Sequence, residues 1–521
     1  MHSDLHTSYL GVPFLNPFIL ASAPPTATGD MVRRAFEAGW GGAVVKTLIH
    51  EPVLNLPNRF AIIRNGGRIT GFENLELLSE QTPDQWYRDI AAIKADFPGY
   101  PIIGSIMGAA DSPEQWLSLA RGCQDAGADL LELNFSCPHG YPERGRGAAI
   151  GQNPDYAARI TGWLTNSKEI TLPIIPKLTS AVADIRHIAE ELAKAGAHGF
   201  CAINTIPSCF GFDLKTLRPK PDIGGMTSYG GYSGPGIKPI ALRAVSEICQ
   251  SPGLPVMASG GIANGFDAAE FMLLGAPLVQ VGTEAMLQGF GLVDRMQQEL
   301  QEFMAWHGFT RPADFIGRCR DTAVSFEKLS SDLACRPQLL AERCTSCGVC
   351  HTACRDGGYQ AIRWHGGLPE IDQAVCTSCS LCSHICPTGA ITLDSHNYTD
   401  FQTGMALCTK TVLDTFAPED IYHINVLTAI TALCDCWGMT TPSLVPDIGI
   451  MAGPDIVAVE RASLDAIRIE DLIPVGVPQG RALSGSGHLF QQLHGKDPFV
   501  QLDKLEEAGL GSQDYKLVTV K

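Results

Sequence analysis

Eight cysteines form two consecutive runs of the form C-x2-C-x2-C-x3-C, and the second run is followed by Pro387. The runs are Cys344, Cys347, Cys350, Cys354 and then Cys376, Cys379, Cys382, Cys386. Thiolates at these intervals wrap a 4Fe-4S cubane, and the fourth cysteine of each run ligates the other cluster. We therefore expect Cys386 to complete the first triplet and Cys354 to complete the second. This pattern predicts a protein that moves single electrons through two clusters.

Two other uses of these cysteines are a structural zinc site and a set of disulfides. Zinc sites rarely use eight cysteines in a doubled triplet, and disulfide frameworks belong to small secreted chains. The chain has eighteen cysteines, which in an intracellular protein indicate a reducing compartment where thiols bind metals or take part in catalysis. The iron-sulfur interpretation is therefore favoured.

Glycines that could hold a phosphate lie near the ends of two late apolar runs, at Ser259-Gly260-Gly261 and at Gly282-Thr283. Backbone N–H groups at such positions can close around a phosphate group. No G-x-G-x-x-G fingerprint follows a predicted strand, so FMN fits better than a dinucleotide. Because clusters deliver electrons one at a time, a flavin would also supply the conversion to two-electron chemistry.

The elements that must position these residues are eight short apolar runs, separated by segments with helical periodicity. The runs cover 18–24, 41–48, 101–107, 129–137, 172–179, 198–205, 254–261 and 278–285. They predict an α/β fold, a (β/α)8 TIM barrel, with a doubly wound open sheet as the competing interpretation. The barrel is favoured because the polar residues stand at the C-terminal ends of the runs, where barrel active sites are built.

The length of 521 residues predicts two or three domains. We expect a catalytic FMN-binding barrel over 1–315, a ferredoxin-like domain with two 4Fe-4S clusters over 316–395, and a C-terminal α/β segment of unknown role over 396–521. The loop at 206–234 is long enough to be a lid, although it could be a floppy insertion.

The net charge of −17 disfavours a nucleic-acid partner or an anionic membrane surface, because such binding depends on lysine and arginine. The start of the chain has no basic region followed by an apolar one, and no apolar stretch is long enough to span a bilayer. We therefore expect a cytoplasmic protein without a membrane span.

Lysines and a cysteine at strand ends are candidates for flavin chemistry. Lys177 and the pair Lys46-Thr47 should point into the barrel mouth, where Lys177 could stabilise negative charge on a reduced flavin or could be a solvated rim charge. Cys137 could act as general acid or base beside the flavin. Its alternative role is that of a small buried hydrophobe.

Asparagines that could read an amide edge, with one donor and one acceptor each, form a second group of candidates. They are Asn74, Asn134 and Asn204, and Thr205 accompanies them. Each of them alone could equally be a loop or capping residue. Their convergence would indicate a cyclic amide substrate.

Several segments together resemble the flavin and iron-sulfur part of dihydropyrimidine dehydrogenase, in particular the bacterial catalytic subunit that carries only this part. They are N-F-S-C-P-H-G-Y-P-E-R-G (134–145), A-I-N-T (202–205), S-Y-G-G-Y-S-G (228–234), I-K-P-I-A-L-R-A-V (237–245) and the first cysteine run continued to residue 362. The resemblance covers about residues 8–395. The S-C-P piece alone is shared with dihydroorotate dehydrogenases.

The resemblance implies that the barrel binds FMN and reduces the C5–C6 bond of uracil or thymine. Cys137 would supply the C5 proton, and Asn74, Asn134, Asn204 and Thr205 would hold the pyrimidine. Lys46, Lys177, Ser233 and the glycines at 260–261 would contact FMN. We expect the full set of cofactor contacts to comprise Ala23, Lys46, Thr47, Asn134, Lys177, Asn204, Ser233, Gly234, Gly260, Gly261, Gly282 and Thr283.

The family takes electrons from NAD(P)H through a module containing FAD, which this chain does not carry. The resemblance therefore implies an FAD-containing, NAD(P)H-oxidising partner subunit, or a ferredoxin, as electron donor, and we expect an oligomer. The chain departs from the family at Pro207 and Cys209 in the lid and at Tyr141, Pro142 and Arg146 in the catalytic loop. Dihydroorotate or another conjugated carbonyl compound is accordingly an alternative substrate. An electron-transfer subunit of a larger redox complex is the alternative of another class.

The C-terminal segment resembles a family of uncharacterised iron-sulfur proteins, on C-D-C-W-G (434–438), V-P-D-I-G-I (445–450) and A-S-L-D (462–465). Cys434 and Cys436, together with Cys408, could ligate a further metal centre. A structural C-x-C turn is the other interpretation.

Overall fold

The computed structural model describes residues 4–51, 53–138, 142, 145–329, 335–357, 359–395, 398–432, 441–478, 483, 486–494 and 496–520. The chain divides into two compact units, Met1–Phe326 and Glu327–Lys521. The three-domain division at 315 and 395 stays a prediction. No helix in the described part of the chain is long and apolar enough to cross a bilayer.

The strands of the first unit are short. They are β1 (Thr7–Tyr9), β2 (Val12–Phe14), β3 (Phe18–Leu20), β4 (Gly42–Val44), β5 (Phe60–Asn65), β6 (Arg68–Asn74), β7 (Ile102–Ile106), β8 (Leu130–Asn134), β9 (Ile174–Leu178), β10 (Phe200–Ala202), β11 (Ile206–Ser208), β12 (Phe212–Asp213), β13 (Arg218–Pro219), β14 (Gly230–Ser233), β15 (Val256–Ser259) and β16 (Leu278–Val281).

The helices of the same unit alternate with the buried strands. They are α1 (Gly29–Glu37), α2 (Pro83–Asp96), α3 (Pro113–Asp125), α4 (Ala148–Gly151), α5 (Pro154–Thr165), α6 (Ile185–Lys194), α7 (Lys238–Gln250), α8 (Gly265–Leu273), α9 (Thr283–Gln288) and α10 (Leu292–Trp306). The side chains of Thr28, Thr82, Asn153, Asp184 and Asn264 accept a backbone N–H at the start of their helices. Such caps satisfy donors that a helix start leaves without partners.

Eight parallel strands close into a barrel in the order β10-β15-β16-β3-β4-β7-β8-β9. Each of the eight predicted runs contains one of these strands, so the (β/α)8 barrel is confirmed and the open sheet is wrong. The hairpin of β1 and β2 closes the end of the barrel at which its strands begin. There the Tyr9 hydroxyl lies 3.0 and 3.1 Å from the carbonyl oxygens of Phe200 and Pro255, its hydrogen-bond acceptors. One layer of side chains inside the barrel is almost wholly apolar and includes Ile19, Val44, Ile103, Leu130, Ile175 and Met257.

A four-stranded antiparallel sheet with the order β11-β14-β6-β5 joins the predicted lid to an earlier segment. β14 pairs with β6 and places Gly231 opposite Asn74. The turn between β5 and β6 uses Gly66 and Gly67, with φ of +54° and +83°, a backbone conformation that glycine adopts without strain. The 206–234 segment is therefore built into a sheet, which the interpretation as a floppy insertion did not foresee.

The second unit contains β17 (Cys335–Leu339), β18 (Ile362–Arg363), β19 (Glu370–Ile371), β20 (Ile391–Ser395), β21 (His423–Leu427) and β22 (Gly449–Gly453). Its helices are α11 (Val349–Asp356), α12 (Leu381–His384), α13 (Tyr398–Leu413), α14 (Ile456–Ala466), α15 (Leu489–His494) and α16 (Phe499–Glu507). β17 pairs with β20, β18 with β19, and β21 with β22, each antiparallel. The region after residue 396 is mixed α/β, as predicted.

Candidate active site and cysteine-lined cavities

A cavity of about 730 Å³, open to solvent, lies at the C-terminal ends of the barrel strands. It is lined by most of the residues predicted from the sequence, namely Ala23, Asn74, Lys177, Asn204, Thr205, Ser233, Gly234, Gly260, Gly261, Gly282 and Thr283. The structure therefore brings together side chains and glycines from seven separate parts of the chain.

Four predicted residues, Lys46, Thr47, Asn134 and Cys137, are buried but do not line this cavity. Lys46 Nζ lies 2.6 Å from a carboxylate oxygen of Glu76. Because this carboxylate partner sits so close, much of the charge of Lys46 is balanced before it can act on a cofactor.

Lys177 belongs to a buried polar group inside the barrel. Its Nζ donates to Gln280 Oε1 at 2.9 Å and lies 3.5 Å from Glu132 Oε1. Gln280 Nε2 in turn donates to Glu132 Oε2 at 2.9 Å. Burial opposes a charge on Lys177, but the Glu132 carboxylate outweighs it, and the pKa of Lys177 is raised above its ordinary value. Lys177 therefore keeps its proton at the wall of the cavity.

The asparagines of the fourth and sixth barrel strands share a second hydrogen-bonded group. Asn134 Nδ2 donates to Thr47 Oγ1 at 3.0 Å, and Thr47 Oγ1 also lies 3.0 Å from Ser22 Oγ. Asn204 Nδ2 donates to Ser136 Oγ at 2.9 Å. Ser136 Oγ donates to Asn134 Oδ1 at 3.4 Å. Asn134 thus supports Asn204, which is the asparagine of the two that faces the cavity.

The glycine-rich side of the cavity exposes backbone. Gly260 and Gly261 have φ of +121° and +77°, and a Cβ on Gly261 would lie 2.6 Å from the backbone nitrogen of Lys238. On the same side, Ser233 Oγ lies 2.7 Å from Thr283 Oγ1. Short side chains and bare backbone leave room for a phosphate-sized group. The N–H groups in the first turn of a helix have no partner inside the helix and can donate to such a group.

The four-stranded sheet packs tightly against the end of the cavity that is lined by Asn74 and Thr205. A Cβ on Gly231 would overlap Thr205 Oγ1 and would lie 3.3 Å from Pro138 Cγ. Glu73, on β6, is fully buried, and its Oε1 accepts from Ser208 Oγ of β11 at 3.1 Å. Burial raises the pKa of Glu73. Glu73 thus ties the lid strand β11 to the segment that ends in Asn74.

Cys137 is buried in the loop after β8, with a relative exposure of 5%. Its carbonyl oxygen accepts the N–H of Ala148 at 3.0 Å. Gly147 approaches it closely, and a Cβ there would lie 2.7 Å from that oxygen. The backbone on both sides of Cys137 is therefore fixed. Tyr141 of the catalytic loop lies outside the described residues, whereas Pro142 and Arg146 lie within them.

Two cavities in the second unit are each lined by four of the predicted cysteines. One of about 330 Å³ is lined by Cys344, Cys347, Cys350 and Cys386, and one of about 400 Å³ by Cys354, Cys376, Cys379 and Cys382. This is the three-plus-one grouping expected from the spacing. Within the described residues, no three Cys, His, Asp or Glu side chains are close enough to hold a single metal ion. Four thiols around each cavity match the ligand count of a 4Fe-4S cubane.

The thiols around these cavities differ in their tendency to ionise. Burial would raise the pKa of Cys386, but hydrogen bonds from the backbone at Thr388, Ala390 and Ile391 outweigh it and lower the pKa to about 7. Burial raises the pKa of Cys382 to about 11.

The cysteines proposed for a further centre are not brought together by the described structure. Cys408 is exposed on α13. Cys434 and Cys436 lie outside the described residues. The further metal centre therefore stays a prediction.

Two family models match the chain, the dihydroorotate dehydrogenase model over residues 4–304 and a 4Fe-4S dicluster domain over residues 338–393. The chain belongs to the dihydroorotate dehydrogenase family. It therefore combines that family's barrel with a 4Fe-4S dicluster domain, as the sequence predicted.

Three named relatives match between 60% and 69% of the chain. The NAD-dependent dihydropyrimidine dehydrogenase subunit PreA of Escherichia coli is 35% identical over 365 residues, which are 69% of this chain and 88% of PreA. The chloroplastic dihydropyrimidine dehydrogenase (NADP(+)) of Arabidopsis thaliana is 37% identical over 60% of this chain and 76% of its own length. The catalytic subunit of dihydroorotate dehydrogenase B (NAD(+)) of Pyrococcus abyssi is 36% identical over 60% of this chain and 98% of its own length. Two of these relatives are named as dihydropyrimidine dehydrogenases and one as a dihydroorotate dehydrogenase.

Sequence reasoning missed three polar residues inside the barrel, Ser105, Glu132 and Gln280. Each stands alone among apolar neighbours in a predicted strand, in I-G-S-I, L-L-E-L and V-Q-V. A single polar residue in a fully buried strand is costly without partners, so it indicates a buried polar site. This signal was present in the sequence and was not used.

Proposed function

We propose that this protein reduces the C5–C6 double bond of a pyrimidine, uracil or thymine, using FMN in the barrel and electrons relayed through two 4Fe-4S clusters. The single observation that carries the proposal is the convergence on one cavity of Lys177, the glycines, and the substrate set Asn74, Asn204 and Thr205. The barrel family and the two relatives named dihydropyrimidine dehydrogenase support it.

The residues present fit FMN. Bare backbone at Gly260, Gly261 and Gly282 suits the phosphate, and the protonated Lys177 suits a ring that gains negative charge on reduction. When bound, FMN would accept electrons singly from the clusters and give a hydride to the substrate. Lys46, Thr47 and Asn134, buried behind the cavity, would act through the residues in front of them.

The chain's own part in the reaction is to orient the pyrimidine and to supply a proton. Asn74, Asn204 and Thr205 would hold the amide edge, and Asn134 would hold Asn204 through Ser136. The resemblance to dihydropyrimidine dehydrogenase implies that the Cys137 thiol would give its proton to C5, the carbon next to the one that receives the hydride, although Cys137 is buried and does not line the cavity in this structure. The thiol is then restored by a proton from solvent.

The electron donor would be an FAD-containing, NAD(P)H-oxidising partner subunit or a ferredoxin. PreA is named as a subunit, which favours the first. The cytoplasmic location and the oligomeric assembly stay predictions.

Dihydroorotate is the second candidate substrate, since the Pyrococcus dihydroorotate dehydrogenase subunit matches over 98% of its own length. Ligand titrations of the FMN-loaded protein, followed by the flavin absorbance, discriminate the two. Uracil should bind to the wild-type protein. Asn204→Ala should lower the affinity for uracil about tenfold or more, because amide contacts are lost, while FMN stays bound. Binding of orotate with no response to uracil would instead support the second candidate.

A further inference from the structure

Glu132 lies inside the barrel and is fully buried. Donors surround its carboxyl group: the Cys201 thiol, Ser105 Oγ at 3.3 Å, Gln280 Nε2 at 2.9 Å and Lys177 Nζ at 3.5 Å. Lys177 is the neighbour that can only donate, and its positive charge favours the ionised form of the carboxyl group. Glu132 is therefore a carboxylate, which accepts hydrogen bonds and donates none.

Because Glu132 accepts hydrogen bonds and donates none, it fixes the orientation of the Gln280 side-chain amide. Because Glu132 only accepts, Gln280 must turn its NH2 group toward it. The amide oxygen then faces Lys177, whose ammonium group only donates, at 2.9 Å. Gln280 consequently has one orientation, and Lys177 is held between two acceptors at the wall of the cavity.

Glu132 also sets the direction of the hydrogen bonds that lead through Ser105 and Thr47 to Asn134. Ser105 has one hydroxyl proton and gives it to Glu132, so it must accept from Thr47 Oγ1, 2.9 Å away. Thr47 has then used its own proton and can only accept, which it does from Asn134 Nδ2 at 3.0 Å. The NH2 end of Asn134 must therefore point at Thr47.

The polarity continues through Ser136 to the asparagine that faces the cavity. Asn134 Oδ1 is left to accept from the backbone nitrogen and the hydroxyl of Ser136, at 3.2 and 3.4 Å. Ser136 has then given its proton and accepts from Asn204 Nδ2 at 2.9 Å. The carbonyl end of Asn204 accepts the N–H of Thr205 at 2.8 Å. The chain from Glu132 to Asn204 thus has one consistent direction.

We infer that Glu132 is a positioning residue that sets the donor and acceptor polarity of both ends of the site: it holds the ammonium group of Lys177 toward the cofactor and fixes the amide orientations of Asn134 and Asn204 toward the substrate. The inference rests on the proposed function for the identity of cofactor and substrate. It deepens that function by naming the group that decides which edge of a cyclic amide the site can read.

The electrostatics agree with this role. Burial alone would lower the pKa of Lys177, and Glu132 is the main group that raises it. Cys201, from β10, also faces both charges, but burial raises the pKa of its thiol well above the ordinary value, so it stays neutral. Tyr9 faces this group from the β1–β2 hairpin, and burial raises the pKa of its hydroxyl well above the ordinary value. Glu132 is therefore the anion that balances Lys177.

Two substitutions separate the two ends of the site. Glu132→Gln keeps the shape but can donate as well as accept, so both ends should be affected. Ser105→Ala cuts the path toward the asparagines and leaves Glu132, Gln280 and Lys177 in place. Asp129→Asn is the matched control, because Asp129 precedes the same strand at its other end and pairs with Lys94 at 2.8 Å, far from the cavity mouth.

The experiment uses the FMN-loaded full chain without oxygen. It measures uracil affinity from the flavin absorbance and the flavin midpoint potential as a function of pH. Glu132→Gln should weaken uracil about tenfold or more and should move the alkaline break in the potential curve, where Lys177 loses its proton, down by at least about one pH unit. Ser105→Ala should weaken uracil to a similar degree but leave the break unmoved. Asp129→Asn should change neither.

Wild-type uracil affinity in both variants, together with an unmoved break in Glu132→Gln, would overturn the inference. A break that moves equally in Ser105→Ala would also overturn it, because that residue does not touch the ion pair. If Glu132→Gln does not fold, Ser105→Ala alone decides through its uracil affinity. If the wild-type protein does not bind uracil, the proposed function fails, while the pH-dependent potential still tests the effect of Glu132 on Lys177.

Discussion

The barrel mouth and the cysteine loops are both candidate redox sites, yet they are built in opposite ways. In the mouth, Glu132, Lys177 and Gln280 are almost completely buried and bonded to one another, on strands of a closed barrel. In the loops, Cys347 and Cys379 are exposed. The mouth is organised by the fold before any ligand arrives, whereas the cysteine loops depend on their ligand for a core.

The apolar support of the two sites differs in the same direction. The barrel mouth stands on a core that runs through the whole first unit. The buried apolar cluster of the cysteine-lined region is small, and two of its four residues are thiols: Cys350, Ile362, Cys382 and Ile391, with Ala361 and Ala390 buried near them in sequence. Metal that binds only the folded state contributes its binding free energy to folding. The clusters should therefore be the effective core of this region.

Iron removal gives the largest expected effect and could break this comparison. Chelation of iron under reducing conditions should unfold residues around the two cysteine cavities and abolish electron delivery, while the barrel stays folded and keeps FMN. The measurement is limited proteolysis with mass spectrometry, beside flavin absorbance and iron content. The intact protein should hold about eight iron atoms per chain. Equal loss of both regions would show that the mouth depends on the clusters too.

Cys137→Ala should lower pyrimidine turnover by about two orders of magnitude or more with FMN still bound, because the proton donor is lost while the barrel is unchanged. Turnover with an artificial electron donor is the measurement. Cys249→Ala is the control, since Cys249 is also a buried thiol but lies on α7, and its turnover should stay near the wild-type value. Unchanged turnover in Cys137→Ala would remove Cys137 from the mechanism.

Gly231→Ala sharpens the comparison at the lid. The new Cβ would overlap Thr205 Oγ1 and push β14 away from the substrate end. We expect KM for uracil to rise about tenfold, with a smaller change in kcat, because one contact set is displaced. Gly291→Ala is the control, because a Cβ there meets nothing within 4 Å. A wild-type KM in Gly231→Ala would mean that the lid does not shape the substrate end.

Glu73→Gln should give the smallest effect. Glu73 Oε2 is buried and has no hydrogen-bond partner among the described residues, and burial raises the pKa of Glu73. A raised folded-state pKa means that stability is fully present below the unfolded value of about 4.3 and is lost as the pH rises through the folded value. Removing the charge should therefore stabilise the first unit by about 1 kcal/mol at pH 8 and by less near pH 5.

The measurement for Glu73→Gln is the thermal midpoint of the barrel at the two pH values. Ser208→Ala serves as the comparison, because it removes a hydrogen bond to the same carboxylate without removing the charge. A lower midpoint for Glu73→Gln at pH 8 than at pH 5, each relative to the wild-type protein, would contradict the account.

The barrel and the grouping of the cysteines could be predicted from the sequence because each depends on a local pattern. Buried parallel strands are short apolar runs, and cubane ligands come at fixed spacings. The hairpin of β5 and β6 was missed although N-G-G-R at 65–68 is a turn signal, because its strands belong to no barrel position. Its pairing with β14, over 150 residues later, is a long-range contact that no local pattern reports.

The hydrogen bonds that join the residues of the candidate site were harder to predict from the sequence than the residues themselves. Lys177, Asn134 and Thr47 stand out at strand ends, but their hydrogen bonds pass through Glu132, Ser105 and Gln280. Glu132 stands on β8 with Asn134, whereas Ser105 and Gln280 come from β7 and β16. Only barrel closure decides which inward-facing side chains meet. The sequence therefore indicated which residues are present at the mouth and not how one of them fixes the next.

The most direct test of the central claim is reduction of the anaerobic protein with dithionite, followed by addition of uracil, thymine or orotate while the flavin absorbance is recorded. The account predicts rapid flavin reoxidation by uracil or thymine, with slower or no response to orotate. Reoxidation by none of the three, in a protein that holds FMN and iron, would contradict it and favour an electron-transfer role.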